Sequence, residues 1–85
     1  MQIDFTDQFT TAADGGIGCE VNVDGKPVAC QFSLGALEDV NPETADMAPA
    51  EQFQMNMERL HDIAREKILR GKMENGAVRV SGEDV

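Results

Sequence analysis

The chain has 85 residues, sixteen acidic side chains against seven basic ones, and a formal net charge of −9 at pH 7. A chain of this length holds one modest core, so we assign residues 1–85 to a single domain. The acidic balance repels phosphate backbones and anionic lipid headgroups. It therefore excludes a general nucleic-acid binder and a membrane-surface protein.

The charges are unevenly distributed along the chain. Residues 1–58 contain eleven acids and the single base Lys26, whereas residues 59–85 contain six bases and five acids. The N-terminus lacks the basic segment and apolar run of a signal peptide, and no apolar stretch is long enough to span a membrane. With only two cysteines as well, we expect a cytoplasmic protein with reduced thiols.

The first predicted element is a short strand at Ile3 and Phe5, which alternate with polar neighbours. Residues 6–15 are rich in Thr, Asp and Ala and end in a Gly-Gly pair, so they predict a loop. A longer alternation then begins at Ile17.

A β-hairpin is predicted over residues 17–32. Apolar residues alternate with polar or small ones on both sides of Asp24-Gly25, a preferred pair for a two-residue type I′ turn. This turn pairs Val23 with Lys26, and the following pairs on the same face are Val21 with Val28, Cys19 with Cys30 and Ile17 with Phe32. Every one of those following pairs joins two apolar residues. A slip of one residue would destroy this match, so the pattern fixes the register.

Two helices are predicted after the hairpin. Ser33 is a suitable N-cap for a short helix, which ends at Asn41-Pro42 because the residue before proline is disfavoured in the α conformation. Residues 41–48 form an acidic connector. A long helix then begins at Pro49 and runs to about Arg70. Its apolar stripe consists of Phe53, Met57, Leu60, Ala64 and Ile68.

The chain closes with a predicted strand over residues 77–81 and a frayed tail at residues 82–85. The sequence thus predicts an α+β fold in the order β-β-β-α-α-β. In this fold a three- to four-stranded antiparallel sheet is covered on one face by the long helix.

The order of several elements resembles an uncharacterised bacterial family, domain of unknown function 1488. The matching segments are Ile3-Asp-Phe5, Val23-Asp24-Gly25, Cys30 with Ser33 to Asp39, Phe53, and Gly76 to Val80. The resemblance implies a small α+β fold with helices against an antiparallel sheet. It implies no activity and no catalytic residues.

Cys19 and Cys30 are the first candidates for chemistry. They are predicted to lie opposite each other in a hydrogen-bonded pair, where side chains are less well aimed for a disulfide than at neighbouring pairs. The favoured interpretation is two buried thiols that act as small apolar side chains. A redox pair and half of a metal site remain as alternatives, with His61 as a further ligand or base. The sequence shows no metal-binding spacing, so we predict no cofactor and no bound metal.

A surface on the far side of the long helix is the second candidate. Met55 and Leu69 lie opposite the apolar stripe, with Asp62 and Glu66 between them, and Met47 of the connector could extend this surface. The basic residues near the end of the helix could meet the acidic half of a second copy.

These patterns favour a non-enzymatic accessory or protein-interaction module, with a homodimer as one form. The alternative is a redox- or metal-sensing protein that uses Cys19 and Cys30. A small enzyme acting on a cationic or neutral metabolite is the third hypothesis, because catalytic residues can come from distant parts of a chain.

Overall fold

The structure is a computed structural model that describes residues 1–85 except for the side chain of Asp7. Across this described backbone the chain forms a four-stranded sheet, three α-helices and two short 3₁₀ turns. The strands are β1 (Ile3–Thr11), β2 (Ile17–Val23), β3 (Lys26–Phe32) and β4 (Ala77–Val80). The helices are α1 (Leu34–Val40), α2 (Pro49–Met55) and α3 (Met57–Leu69). The predicted α+β fold class is confirmed.

The β2–β3 hairpin has the predicted register, residue by residue. Val23 pairs with Lys26, and Cys19 pairs with Cys30. Asp24 and Gly25 have φ values of 51° and 84°, as a type I′ turn requires at both central positions. Val21, Cys30 and Phe32 are buried on the face that the register assigns to the core. The turn therefore decides which side chains of both strands enter the core.

The first strand is longer than predicted. β1 pairs antiparallel with β2 from Ile3 to Thr11, and a bulge between Phe5 and Phe9 divides it into two halves. The Thr6 hydroxyl donates a hydrogen bond of 3.1 Å to the carbonyl of Glu20, so this group keeps a partner inside the bulge. The prediction of a loop from residue 6 was wrong because alternation stops at a bulge although the strand continues.

The last strand is parallel to its neighbour, whereas the sequence predicted an antiparallel sheet throughout. β4 lies beside β3, and the sheet order is β1-β2-β3-β4. The three helices carry the chain back to the end of the sheet where β3 begins, so β4 runs in the same direction as β3. If the two halves of β1 are counted separately, the helices lie between the fourth and fifth strand segments. The sheet is thus mixed and mostly antiparallel.

The predicted long helix is interrupted at Asn56, which separates α2 from α3. The Asn56 side-chain amide donates to the carbonyl of Gln52 at 2.8 Å, and its backbone N–H is shared between the carbonyls of Gln52 and Phe53. A side chain that binds the backbone one turn earlier competes with regular helical bonding. The apolar stripe nevertheless faces the sheet, with Leu60 and Ile68 fully buried.

The C-terminus is anchored rather than frayed. Residues 82–84 form a 3₁₀ turn in which the Ser81 backbone N–H donates to the Asp84 carboxylate at 2.8 Å. Lys67 of α3 donates to the same carboxylate at 2.9 Å and also to the carbonyl of Arg79. The N–H of Ser81, and after it Lys67, hold the pKa of Asp84 below its ordinary value. These bonds fix the chain end, which the sequence pattern did not indicate.

We expect Gly25→Ala to lower the free energy of unfolding by about 1–2 kcal/mol, since a side chain at positive φ is strained. Gly35→Ala is the matched control. Gly35 lies in α1 with the nearest atom 3.8 Å from an added Cβ, so alanine should stabilise the helix by up to about 1 kcal/mol. Urea unfolding of the two variants should give changes of opposite sign. Equal changes would contradict the assigned turn.

We expect Asp84→Asn to lower the free energy of unfolding by roughly 0.5–1 kcal/mol at neutral pH, because the ionised carboxylate is lost. The pKa of Asp84 is lowered by folding. Its contribution is therefore complete above the pKa of an unfolded Asp, about 4, and disappears as pH falls through the folded pKa. Urea unfolding at several pH values should show the variant and the wild type converging in acid. Glu83→Gln, at an exposed neighbour, is the control and should change stability little.

Candidate functional site

A groove lies on the sheet across β1, β2 and β3. Its volume is about 740 Å³, and its wall includes Gly18, Cys19, Ala29 and Cys30. Gly18 and Ala29 alternate with the two cysteines along the hairpin, and with their partners Gln31 and Glu20 they face the groove, on the side of the sheet opposite the core. The groove therefore borders the hairpin at the two cysteines, but their thiols lie on the core side of the sheet.

The two cysteines differ in accessibility, although the sequence predicted two buried thiols. Cys30 is 0% exposed and belongs to the core, where it pairs with Val78 of β4. Cys19 is only half-buried, because it lies one strand closer to the sheet edge and pairs with Phe9 on the bulged strand β1. The pair therefore consists of one partly accessible thiol and one enclosed thiol.

A hydrogen bond between the thiols separates their acidities. Cys30 donates to the sulfur of Cys19, which lowers the pKa of Cys19 despite an opposing effect of burial. The same bond, burial and the negative charge of a Cys19 thiolate all raise the pKa of Cys30. The first proton of the pair is therefore lost from Cys19, the sulfur that reagents can reach.

His61 belongs to an aromatic cluster between α3 and β1. Its ring stacks on Phe5 with centroids 4.1 Å apart and an interplanar angle of 8°, and it meets the edge of Phe53 at 5.9 Å. The Arg65 guanidinium lies 5.5 Å from the centroid of the Phe5 ring. Among the described side chains, no group of three or more His, Cys, Asp and Glu residues is arranged to hold a metal ion. The structure thus places His61 in packing contacts with aromatic rings.

A polar network joins the acidic connector to the helix interruption. Asn56 donates to the Thr44 hydroxyl at 3.0 Å and accepts from the Asn41 side-chain amide at 3.2 Å. The Gln52 side chain, which is buried, donates to the carbonyl of Met47 at 2.9 Å. These bonds hold residues 41–48 against α2 and fix the position of Met47. No local motif in the sequence indicated this network.

The three residues of the predicted interaction surface are all exposed. The exposed fractions are 39% for Met47, 65% for Met55 and 58% for Leu69. Met47 and Met55 flank the two ends of α2, within about 10 Å of helix rise. Leu69 lies at the far end of α3, about 20 Å further along the axis. The residues therefore form two separate apolar points on one side of the helical layer.

We expect the alkylation rate of Cys19 by iodoacetamide to rise with pH at a midpoint below that of an ordinary thiol. The thiolate is the reacting form, and the hydrogen bond from Cys30 lowers the pKa of Cys19. In Cys30→Ala the donor is gone, so the midpoint should move upward. The pH profile of the rate, followed by mass spectrometry, measures this shift. Equal midpoints in the wild type and the variant would contradict the hydrogen bond.

None of the described helices is long and apolar enough to cross a membrane. No curated protein matches the chain. Among solved structures, the crystal structure of a DUF1488-family protein of unknown function from Shewanella loihica PV-4 is similar to it. The sequences are 24% identical, the alignment covers 95% of this chain and 96% of that chain, and the TM-score is 0.67. At this identity the likeness shows the fold.

A family model described as protein of unknown function (DUF1488) matches residues 3–80. The match spans the sheet and all three helices, so it includes the cysteine pair and both apolar points. The resemblance noted from the sequence is therefore confirmed: the chain belongs to the DUF1488 family.

Proposed function

We propose that the protein is a non-enzymatic interaction module that associates through the outer surface of α2 and α3, with a second copy of the chain as its partner. One observation carries this proposal. Two strongly exposed apolar side chains, Met55 and Leu69, lie at opposite ends of one helical surface whose ends also differ in charge. We place the module in the cytoplasm, which the two free cysteines support.

The apolar residues supply the first part of the argument. Two copies placed antiparallel along this surface would bring Met55 of each copy against Leu69 of the other. Both side chains are more than half exposed in the single chain, so their contact removes apolar area from water. The long flexible side chain of methionine adapts readily to such a contact.

The charges supply the second part. Exposed acids Asp46 and Glu51 lie at the α2 end, whereas Lys72 is an exposed base at the α3 end, next to Arg70, which binds Glu66 of its own helix at 2.6 Å. An antiparallel pair brings the acidic end of each copy to the basic end of the other, and a parallel pair would bring like charges together. Electrostatic complementarity therefore selects the antiparallel arrangement.

The centre of such a pair falls near Asp62, midway between Met55 and Leu69. Two facing aspartates would repel each other, but Arg65 binds the Asp62 carboxylate at 2.7 Å in the same helix. Each copy thus presents a neutralised ion pair at the centre rather than an isolated charge. The arrangement avoids a like-charge penalty where the two copies meet.

The size of the surface sets the expected strength. α2 and α3 together extend about 30 Å, with a width of about 10 Å, so a helix-to-helix contact buries less than the roughly 800 Å² per partner of a standard interface. The sequence has no Trp and no Tyr to act as anchors. We therefore expect a reversible dimer with a Kd on the order of 10–100 μM.

Sedimentation velocity over a concentration series tests the proposal. The wild type should change from monomer to dimer across the micromolar range, and the dimer should weaken as salt screens the opposed charges. Met55→Ser and Leu69→Ser should each raise Kd by about tenfold or more, since each removes one apolar contact twice per dimer.

Leu34→Ser is the matched control, because Leu34 is an exposed apolar residue of α1 outside this surface. It should leave Kd unchanged. A protein that stays monomeric at all concentrations would overturn the proposal. A dimer whose Kd is unchanged in both Met55→Ser and Leu69→Ser would overturn it as well.

A further inference from the structure

The thiol pair on the β2–β3 hairpin is independent of the helical surface. We propose that Cys19 and Cys30 form a reversible intramolecular disulfide by reaction with a neutral hydroperoxide, with Cys19 as the sulfur attacked first. The inference rests on the pairing of the two residues, their unequal exposure and the charge around them.

The pairing permits a disulfide under strain. Cys19 and Cys30 are directly opposed in a hydrogen-bonded pair, for which Cα atoms are typically about 5.5 Å apart, within the range that disulfides span. Opposed β-carbons in a sheet are typically about 4.5–5.5 Å apart, whereas a disulfide needs about 3.5–4.5 Å. The strands must therefore approach by roughly 1 Å at this pair. A strained bond of this kind is readily reduced, which favours a reversible role over a structural one.

Unequal exposure assigns the roles of the two sulfurs. Cys19 is half-buried, whereas Cys30 is fully enclosed in the core. A small oxidant therefore reaches Cys19 first. Cys30 is already hydrogen-bonded to the sulfur of Cys19. Cys30 is thus placed to attack the oxidised sulfur of Cys19 once the two strands approach locally by roughly 1 Å.

The charge of the surroundings selects the oxidant. The whole chain carries a net charge of −9, and the exposed carboxylate of Glu20 follows Cys19 directly on β2. Negatively charged oxidants such as glutathione disulfide are repelled from such a surface, but a neutral hydroperoxide is not. A small oxidant such as hydrogen peroxide also suits a site whose inner thiol is enclosed.

The reaction has two balanced steps. The Cys19 thiolate attacks one oxygen of hydrogen peroxide, an S–O bond forms as the O–O bond breaks, and the departing hydroxide takes up the proton that Cys19 released, giving water. The sulfur of Cys30 then attacks the sulfur of the Cys19 sulfenic acid, the S–S bond forms as the S–O bond breaks, and the departing hydroxide takes the Cys30 proton to give a second water. In total, two thiols and one peroxide give one disulfide and two waters.

The second step benefits from a change in charge at Cys19. The hydrogen bond to Cys19 is the largest cause that raises the pKa of Cys30, and a Cys19 thiolate adds to it. A sulfenic acid carries no charge, so the repulsion that opposes deprotonation of Cys30 is lost once Cys19 is oxidised. Cys30 then loses its proton more readily, at the stage when its nucleophilicity is needed.

Oxidation of the reduced wild-type protein with hydrogen peroxide tests the inference. The intact mass should fall by two hydrogen atoms, both thiols should disappear from a count under denaturing conditions, and a peptide map should link Cys19 to Cys30. Dithiothreitol should restore the thiols. Oxidised glutathione at the same concentration should react at least about tenfold more slowly.

Two variants separate the roles of the sulfurs. In Cys30→Ser, dimedone should trap the sulfenic acid at Cys19, whereas in Cys19→Ser the same peroxide dose should leave Cys30 unmodified. Circular dichroism shows whether each variant folds, and the wild-type mass measurement stands without them. Free thiols after a peroxide dose that oxidises N-acetylcysteine would overturn the inference. Further oxidation of Cys19 without a link to Cys30, or dimedone labelling of Cys30, would do so too.

Discussion

The pairing of β2 with β3 through the Asp24-Gly25 turn is the constraint on which the rest of the fold depends. Side chains on a strand alternate between two faces, so a two-residue turn of fixed geometry decides which residues of both strands enter the core. That choice buries Val21 and Phe32, on which the apolar stripe of α2 and α3 packs, with the rings of Phe32 and Phe53 5.4 Å apart. The same parity places Cys19 opposite Cys30. One local interaction thus sets both the core and the thiol pair.

The predictable part of the fold is the part encoded by neighbours in sequence. The hairpin register, the start of α1 at Ser33 and the apolar stripe follow from short-range patterns, and the structure contains each of them. The parallel direction of β4 depends instead on the length of the helical path between β3 and β4. At the break, the Asn56 side chain binds the Gln52 carbonyl and is also held by Thr44 and Asn41, which are distant in sequence. Periodicity records which face is apolar but not where a polar side chain finds its partner.

For the candidate sites too, local sequence patterns predict some features and long-range contacts determine the others. Register alone predicted that Cys19 and Cys30 are opposed, but their unequal burial depends on the bulge in β1 and on the position of β4. Helical periodicity alone predicted that Met55 and Leu69 are exposed, which agrees with the structure. The fixed position of Met47 follows from Gln52, whose side chain holds the Met47 carbonyl. Which residues share a face can be read from sequence, whereas their accessibility depends on long-range contacts.

Size explains why both candidate sites take the form that they do. A chain of 85 residues buries too little surface to spare much of its core for an enclosed active-site cavity. The outer surface of α2 and α3 uses side chains that the core does not need, and the thiol pair uses two residues that already pack in the hairpin. Neither requires a void, and neither removes an apolar contact from the reduced, monomeric fold. A domain with this small a core can therefore carry a surface for weak association and a pair of adjacent thiols without loss of stability.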